Sequence, residues 1–183
     1  MFAGNIGAAQ DFPTIITAAR LLADNKDIHW LILGDGRMRE WVKGEVEAHD
    51  LEATVHLLGR HPVDVMPNYF AFADALLVTL RREPIFALTI PGKVQSYLAS
   101  GKPIIAALDG EGARVILEAG AGIAVPSESP DALATAVLEL FHMSQERRRT
   151  IGLRGRDYFE RHFEREMLMN KLDRWINELK LGI

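Results

Sequence analysis

Short apolar runs alternate with longer amphipathic ones over most of this chain, and that alternation limits the possible folds more than any other feature. Positions 28–33, 53–58, 74–80, 103–107 and 123–125 read as strands buried on both faces. Helical patterns separate them at 14–24, 38–49, 91–100, 111–119 and 131–142. In the first, Ile15, Ala18, Ala19 and Leu22 share one face. Strands that alternate with helices predict a parallel sheet covered by helices on both faces and joined by right-handed crossovers, an α/β fold. Pro130 opens the last of these helices, with Ser129 or Ser127 as its cap.

From about Ser144 the strand signals stop. The rest is charged and helical, with Tyr158, Phe159, Phe163, Met167, Leu172 and Trp175 as its apolar stripe. The chain therefore divides into a sheet domain at 1–143 and C-terminal helices at 144–183, which pack on that domain or on an N-terminal domain upstream. The 183 residues are 48% hydrophobic and 25% charged, enough for one globular domain with a sizeable core. A net charge of −4 argues against nucleic acid or an anionic membrane as the main partner. With no cysteine, disulfides and thiolate chemistry are excluded, and the chain fits the cytoplasm. No apolar run approaches the roughly 18 residues that span a bilayer. Met1-Phe2-Ala3 runs straight into Gly4-Asn5 with no signal peptide, like a strand cut just before its loop. An upstream half of a longer protein is expected on that ground.

In open α/β sheets ligands sit beyond the carboxyl ends of the strands, so strand-to-helix loops carry the candidate residues. The first runs Gly4-Asn5-Ile6-Gly7-Ala8-Ala9-Gln10, where small residues and a helix N-terminus suit a phosphate. It lacks the Gly-x-Gly-x-x-Gly dinucleotide pattern and reads equally as a tight turn. Gly34-Asp35-Gly36 and Gly59-Arg60-His61-Pro62 follow the next two strands, with turn and solvated-arginine readings beside the binding ones. The richest stretch holds Arg81-Arg82-Glu83-Pro84, then Pro91-Gly92-Lys93 and Ser96. A lysine in the first turn of a helix opposes the helix dipole, which suggests a task such as holding a diphosphate. The alternative is a surface lysine. Asp109-Gly110-Glu111 offers backbone donors and carboxylates at a further helix start, or a capped turn. No His, Asp or Glu cluster has metal spacing, Asp-x-Asp is absent, and neither a protein-held metal nor a cofactor is expected. His29 and His56 fall in strand patterns and read as packed side chains.

Taken in order, these loops resemble the C-terminal domain of retaining, family-four GT-B glycosyltransferases, in particular bacterial enzymes that build O-antigen and capsule sugars. The resemblance rests on Phe2-Ala3-Gly4-Asn5-Ile6-Gly7, Leu33-Gly34-Asp35-Gly36, Leu58-Gly59-Arg60, Pro91-Gly92-Lys93, Tyr97-Leu98-Ala99-Ser100-Gly101-Lys102-Pro103-Ile104-Ile105 and Glu118-Ala119-Gly120-Ala121-Gly122. It implies a Rossmann-like sheet of five or six strands, one half of a GT-B fold. It also implies a nucleoside-diphosphate sugar, with UDP as the carrier, held by this domain for transfer to a glycan or lipid-linked acceptor. The acceptor would be held by an upstream N-terminal domain, at the cytoplasmic face of a membrane when the acceptor is lipid-linked. By the same resemblance Gly4 to Gly7 face the diphosphate, Arg60 and His61 lie near the base, and Lys93 meets the phosphates. Many relatives carry two Glu residues where this chain has Leu88 and Ser96, and Arg and Lys where it has Asn5 and Gln10. Glu83 is then the candidate for the first Glu's work, so Glu83 and Lys93 are the catalytic candidates. A sugar-nucleotide epimerase-like enzyme and a non-catalytic nucleotide-binding domain are the two other readings.

Overall fold

Six short strands form a single parallel sheet in the order β3-β2-β1-β4-β5-β6. They are β1 (Phe2–Ala3), β2 (Trp30–Leu33), β3 (Val55–Gly59), β4 (Leu76–Thr79), β5 (Ile104–Ala107) and β6 (Gly122–Val125). The computed structural model describes residues 1–180, so positions 181–183 of the expected C-terminal segment lie outside the described residues. β4 and β5 are buried at every position, as central parallel strands covered on both faces must be. Their side chains alternate. Leu77 and Ile105 join one apolar cluster, while Leu76, Val78, Ile104 and Ala106 join the other.

Helices α1 (Phe12–Leu21), α2 (Arg39–Ala48) and α7 (Pro130–His142) cover the first face, where Phe2 meets Phe12 edge-on at 5.0 Å between ring centroids. Helices α5 (Gly92–Ser100), α6 (Glu111–Glu118) and α8 (Gln145–His162) cover the second. This is the α/β arrangement that the alternation predicts, and it is Rossmann-like, as the resemblance implies. Strands β2 to β5 begin later than the apolar runs do, while β6 begins one residue earlier. Ile28 is buried, but its amide closes a turn on the Asn25 carbonyl rather than entering the sheet. Two helices escaped the sequence pattern: α3 (Met66–Phe72) and α4 (Pro84–Ala87). Both begin at or beside a proline and are too short to show a 3.6-residue stripe.

The cap expected for α7 is a correction. Ser129 occupies the capping position, but its hydroxyl makes no capping bond, and the Ser127 hydroxyl is taken by Asp109. The next helix has the cap instead, with the Ser144 hydroxyl accepting from the Arg147 amide at 3.2 Å. The tail stripe also divides. Tyr158 is buried, and Phe159 and Phe163 pack on the same cluster, because α8 lies tightly against α5. Leu172 and Trp175 lie on α9 (Arg165–Lys180), which buries none of its residues.

The α5–α8 contact depends on the absence of a side chain at Gly152. A Cβ built there would stand 2.0 Å from the Gly101 carbonyl oxygen. Gly44, in the middle of α2, has no atom within 4 Å of such a Cβ. Gly152→Ala should destabilise the protein by about 1–3 kcal/mol through backbone displacement. Gly44→Ala should stabilise it by about 0.5–1 kcal/mol. Urea unfolding of the two variants beside the parent checks both signs.

Candidate functional site

The strand order reverses direction between β1 and β4, and a doubly wound sheet opens a crevice outside its carboxyl edge at such a point. Two loops close on each other there. The Gly4 amide donates to the Leu33 carbonyl at 2.9 Å, and the Ile6 amide to the Asp35 carbonyl at 2.8 Å. Gly34 has φ 138°, and a Cβ on it would fall 1.8 Å from the Gly4 carbonyl oxygen. Only glycine permits that approach.

Beside these loops lies a cleft of about 460 Å3. Its lining brings together Gly4, Asn5, Gly34, Asp35, Arg60, His61, Lys93 and Ser96 from the sequence candidates. It also uses Val63, Met66 and Phe70, which the sequence did not flag. These three come from the segment that builds α3, whose only sequence signal was aromatic residues shortly after His61. The His61 ring is held at both nitrogens. Nε2–H donates to the Leu58 carbonyl at 3.0 Å, and the Tyr69 hydroxyl reaches Nδ1 at 3.1 Å. Arg60 is exposed at the mouth, and the Asp35 carboxylate accepts from the Gly36 amide at 2.8 Å.

Lys93 is the unusual group. It stands in the first turn of α5, its Nζ 3.7 Å from the centroid of the Phe2 ring and pressed against Gly4. That nitrogen is buried and has no hydrogen-bond partner among the described residues. Burial lowers its pKa to about 8. Burying a cation without a counter-charge is costly, and so is a cation at the positive end of a helix. Tyr97, one turn on, fixes α5 in place. Its hydroxyl accepts from the Ala3 amide at 3.0 Å and donates to the Ala3 carbonyl at 3.2 Å, and burial raises its pKa.

The other candidates lie outside the cleft lining. Gln10 staples its own loop, Oε1 accepting from the Gly7 amide at 3.2 Å, and Gly36 closes the second loop. Pro91 and Gly92 start α5, where Gly92 is exposed. Glu83 lines a separate recess of about 180 Å3 with Arg82, Phe86 and Asp109. The Asp109 carboxylate is occupied by the Ser127 amide and hydroxyl, with the Arg82 guanidinium 3.7 Å away. Gly110 packs against the Ala87 carbonyl. Glu111 pairs with Arg114 at 2.9 Å, which holds its carboxyl below the usual range. Asp11 went unnoticed in the sequence. It is buried at φ 47° with one carboxyl oxygen unpartnered among the described residues, and burial raises its pKa. Among the described residues no three His, Cys, Asp or Glu side chains are grouped to hold a metal ion, and no helix is long and apolar enough to cross a membrane.

The sequence family described as Glycosyl transferases group 1 matches residues 1–143. The chain belongs to that family. The probable glycosyltransferase WbjE of Pseudomonas aeruginosa is 34% identical over 144 residues, which cover 76% of this chain and 34% of WbjE. The chain thus spans about a third of that relative's length. Among solved structures, the C-terminal domain of the group 1 protein LpcC from Francisella tularensis superposes with a TM-score of 0.73 at 18% identity, covering 89% of this chain and 85% of that one. Anabaena HepE in complex with UDP superposes with a TM-score of 0.78 at 16% identity, covering 100% of this chain and 49% of that one. At these identities the structural likeness speaks for the group 1 fold alone.

The buried lysine sets a stability test. Its folded pKa lies below the unfolded 10.5, so the unfolded chain holds more protons between about pH 8 and 10.5. The lysine's cost is therefore full below pH 8 and fades as pH rises through that window. Lys93→Met should be more stable than the parent at pH 7 by roughly 1–3 kcal/mol. Urea unfolding should show the gap closing by about pH 10.5.

Proposed function

We propose that this chain is the donor-binding half of a retaining glycosyltransferase that takes a sugar from a nucleoside diphosphate. The observation that carries the reading is the buried, unpartnered Lys93 ammonium on the wall of a cleft at the sheet's switch point. An anion is what relieves such a group, and the start of α5 offers backbone donors beside it. In this reading the diphosphate lies between Gly4 and Lys93, and the base lies toward Arg60, His61 and the apolar side chains of α3. UDP is the carrier we favour, since HepE binds UDP on the same fold.

The bond from the sugar C1 to the diphosphate oxygen breaks as the acceptor oxygen bonds C1 on the same face. The acceptor proton passes to the departing phosphate. Negative charge gathers on the diphosphate, where Lys93 and the helix N-terminus stabilise it. Glu83 serves the sugar from the neighbouring recess. Gln10, Gly7, Gly36, Pro91, Gly92, Ser96, Asp109, Gly110 and Glu111 act in this scheme as the frame of the donor pocket. The acceptor we favour is a glycan or a lipid-linked glycan bound by an upstream half, at the cytoplasmic face of the membrane when it is lipid-linked. An epimerase-like reading is weaker. It needs acid–base carboxylates in the cleft, and the one in the lining, Asp35, is committed to the Gly36 amide.

Calorimetry with UDP and uridine tests the donor site. Lys93→Ala should weaken UDP binding about 10- to 100-fold, the range for a lost charge-assisted hydrogen bond, and leave uridine unchanged. EDTA should change neither. Equal affinity of parent and variant for UDP would sink the reading. A second expectation concerns catalysis: residues 1–183 alone should bind the donor without transferring sugar, and transfer should appear when the upstream half is joined to them.

A further inference from the structure

α3 is a helix of seven residues that buries none of them. A helix this short has little stability of its own, so its place depends on what ties it down. Three consecutive residues, Tyr69, Phe70 and Ala71, tie it to three separate parts of the chain. The Tyr69 hydroxyl reaches the His61 ring, the Phe70 ring meets Tyr97 edge-on, and the Ala71 carbonyl accepts from Lys102 Nζ at 2.7 Å. The last tie gives the lysine of Gly101-Lys102-Pro103 a task, since a cation suits the carbonyl end of a helix. Held in this way, α3 lends Met66 and Phe70 to the donor cleft.

His61 lines that cleft and Tyr69 does not. The Leu58 carbonyl, 3.0 Å from Nε2, can only accept, so Nε2 carries the ring hydrogen. Nδ1 of the neutral ring is then an acceptor, and the Tyr69 hydroxyl donates to it at 3.1 Å. The two rings lie with centroids 4.6 Å apart and planes at 43°. Both nitrogens are thus committed to the protein's own groups. What His61 has left for a ligand is its flat face, with Val63, Met66 and Phe70 as apolar neighbours in the lining. An aromatic face of this kind suits the π face of a nucleobase.

We infer that the donor's base stacks on the face of His61, and that Tyr69 is the positioning residue that holds this ring for it. The inference rests on the donor-site reading and adds how the base end of that site works. No hydrogen bond runs from the base to either ring nitrogen. Stacking gains from the hold. An imidazole free to turn would lose that freedom on binding, whereas one fixed by Leu58 and Tyr69 has already lost it on folding.

Calorimetry on residues 1–183 with UDP and pyrophosphate tests this, since only UDP carries a base. His61→Ala should weaken UDP binding roughly 30-fold, the scale of a lost base–aromatic stack. Tyr69→Phe keeps its own ring but gives up the hydrogen bond, and should weaken UDP binding about 3- to 5-fold. His61→Phe keeps a face and gives up the same hold, so it should lose about as much, and adding Tyr69→Phe to it should cost nothing further. Pyrophosphate affinity should be the same in every variant. Nitrogen NMR should find the parent's His61 ring in the single Nε2–H form, and a mixture of the two neutral forms in Tyr69→Phe. UDP binding unaffected by His61→Ala would overturn the stack. So would a loss in His61→Phe as deep as in His61→Ala, because the ring nitrogens would then be reading the base. An unchanged UDP affinity or an unchanged ring form in Tyr69→Phe would overturn the positioning role. A parent that binds neither UDP nor pyrophosphate would sink the donor-site reading, and this inference with it.

Discussion

The Tyr97 hydroxyl holds the site together. By giving one hydrogen bond to Ala3 and taking another, it ties α5 to the last residue of β1 across 94 positions of chain. A phenol buried this deeply needs both bonds, and the Ala3 backbone needs partners where the ladder ends. The tie sets the height of α5 against the sheet. That height puts Lys93 over Phe2 and against Gly4, so the charge of the cleft is positioned by a hydroxyl one helical turn away. Phe70 braces the same ring edge-on at 5.5 Å, which links α3 and the base side of the cleft to the same point.

The sheet was legible in the sequence because parallel central strands must be apolar on both sides. Runs such as Leu76-Leu77-Val78 and Ile104-Ile105-Ala106 have few other uses. The glycine loops were legible as loops, and their order along the chain carried the family. Side-chain commitments were not legible. Asp109 looks free at a helix start, but Ser127, which is 18 positions away, claims it. Lys93 reads the same in sequence whether it is solvated or buried, and only the packing of Phe2 and Gly4 decides. Asp11 gave no signal at all, because its αL backbone and its burial come from loop closure rather than from a local pattern.

The carboxyl edge of the sheet divides at the switch point. On the β1 side it is open, glycine-rich and lined by two cations, Arg60 and Lys93, with no ion pair among the described residues. On the β4–β6 side Arg82, Asp109, Ser127 and Glu128 satisfy one another. The buried charge without a partner among the described residues is in the first half, and a ligand can use it. The second half is better suited to holding the loop of α4 in a defined place beside it.

The buried amine of Lys93 also has a chemical consequence. An ordinary lysine is almost wholly protonated at neutral pH and reacts slowly with electrophiles. With a pKa near 8, roughly a tenth of the Lys93 amine is unprotonated at pH 7. The same packing leaves that nitrogen almost no exposed surface, so the reagents it should select are small aldehydes and acylating agents that carry a phosphate to guide them into the cleft. The feature that makes this residue costly to fold also makes it a handle for selective covalent labelling.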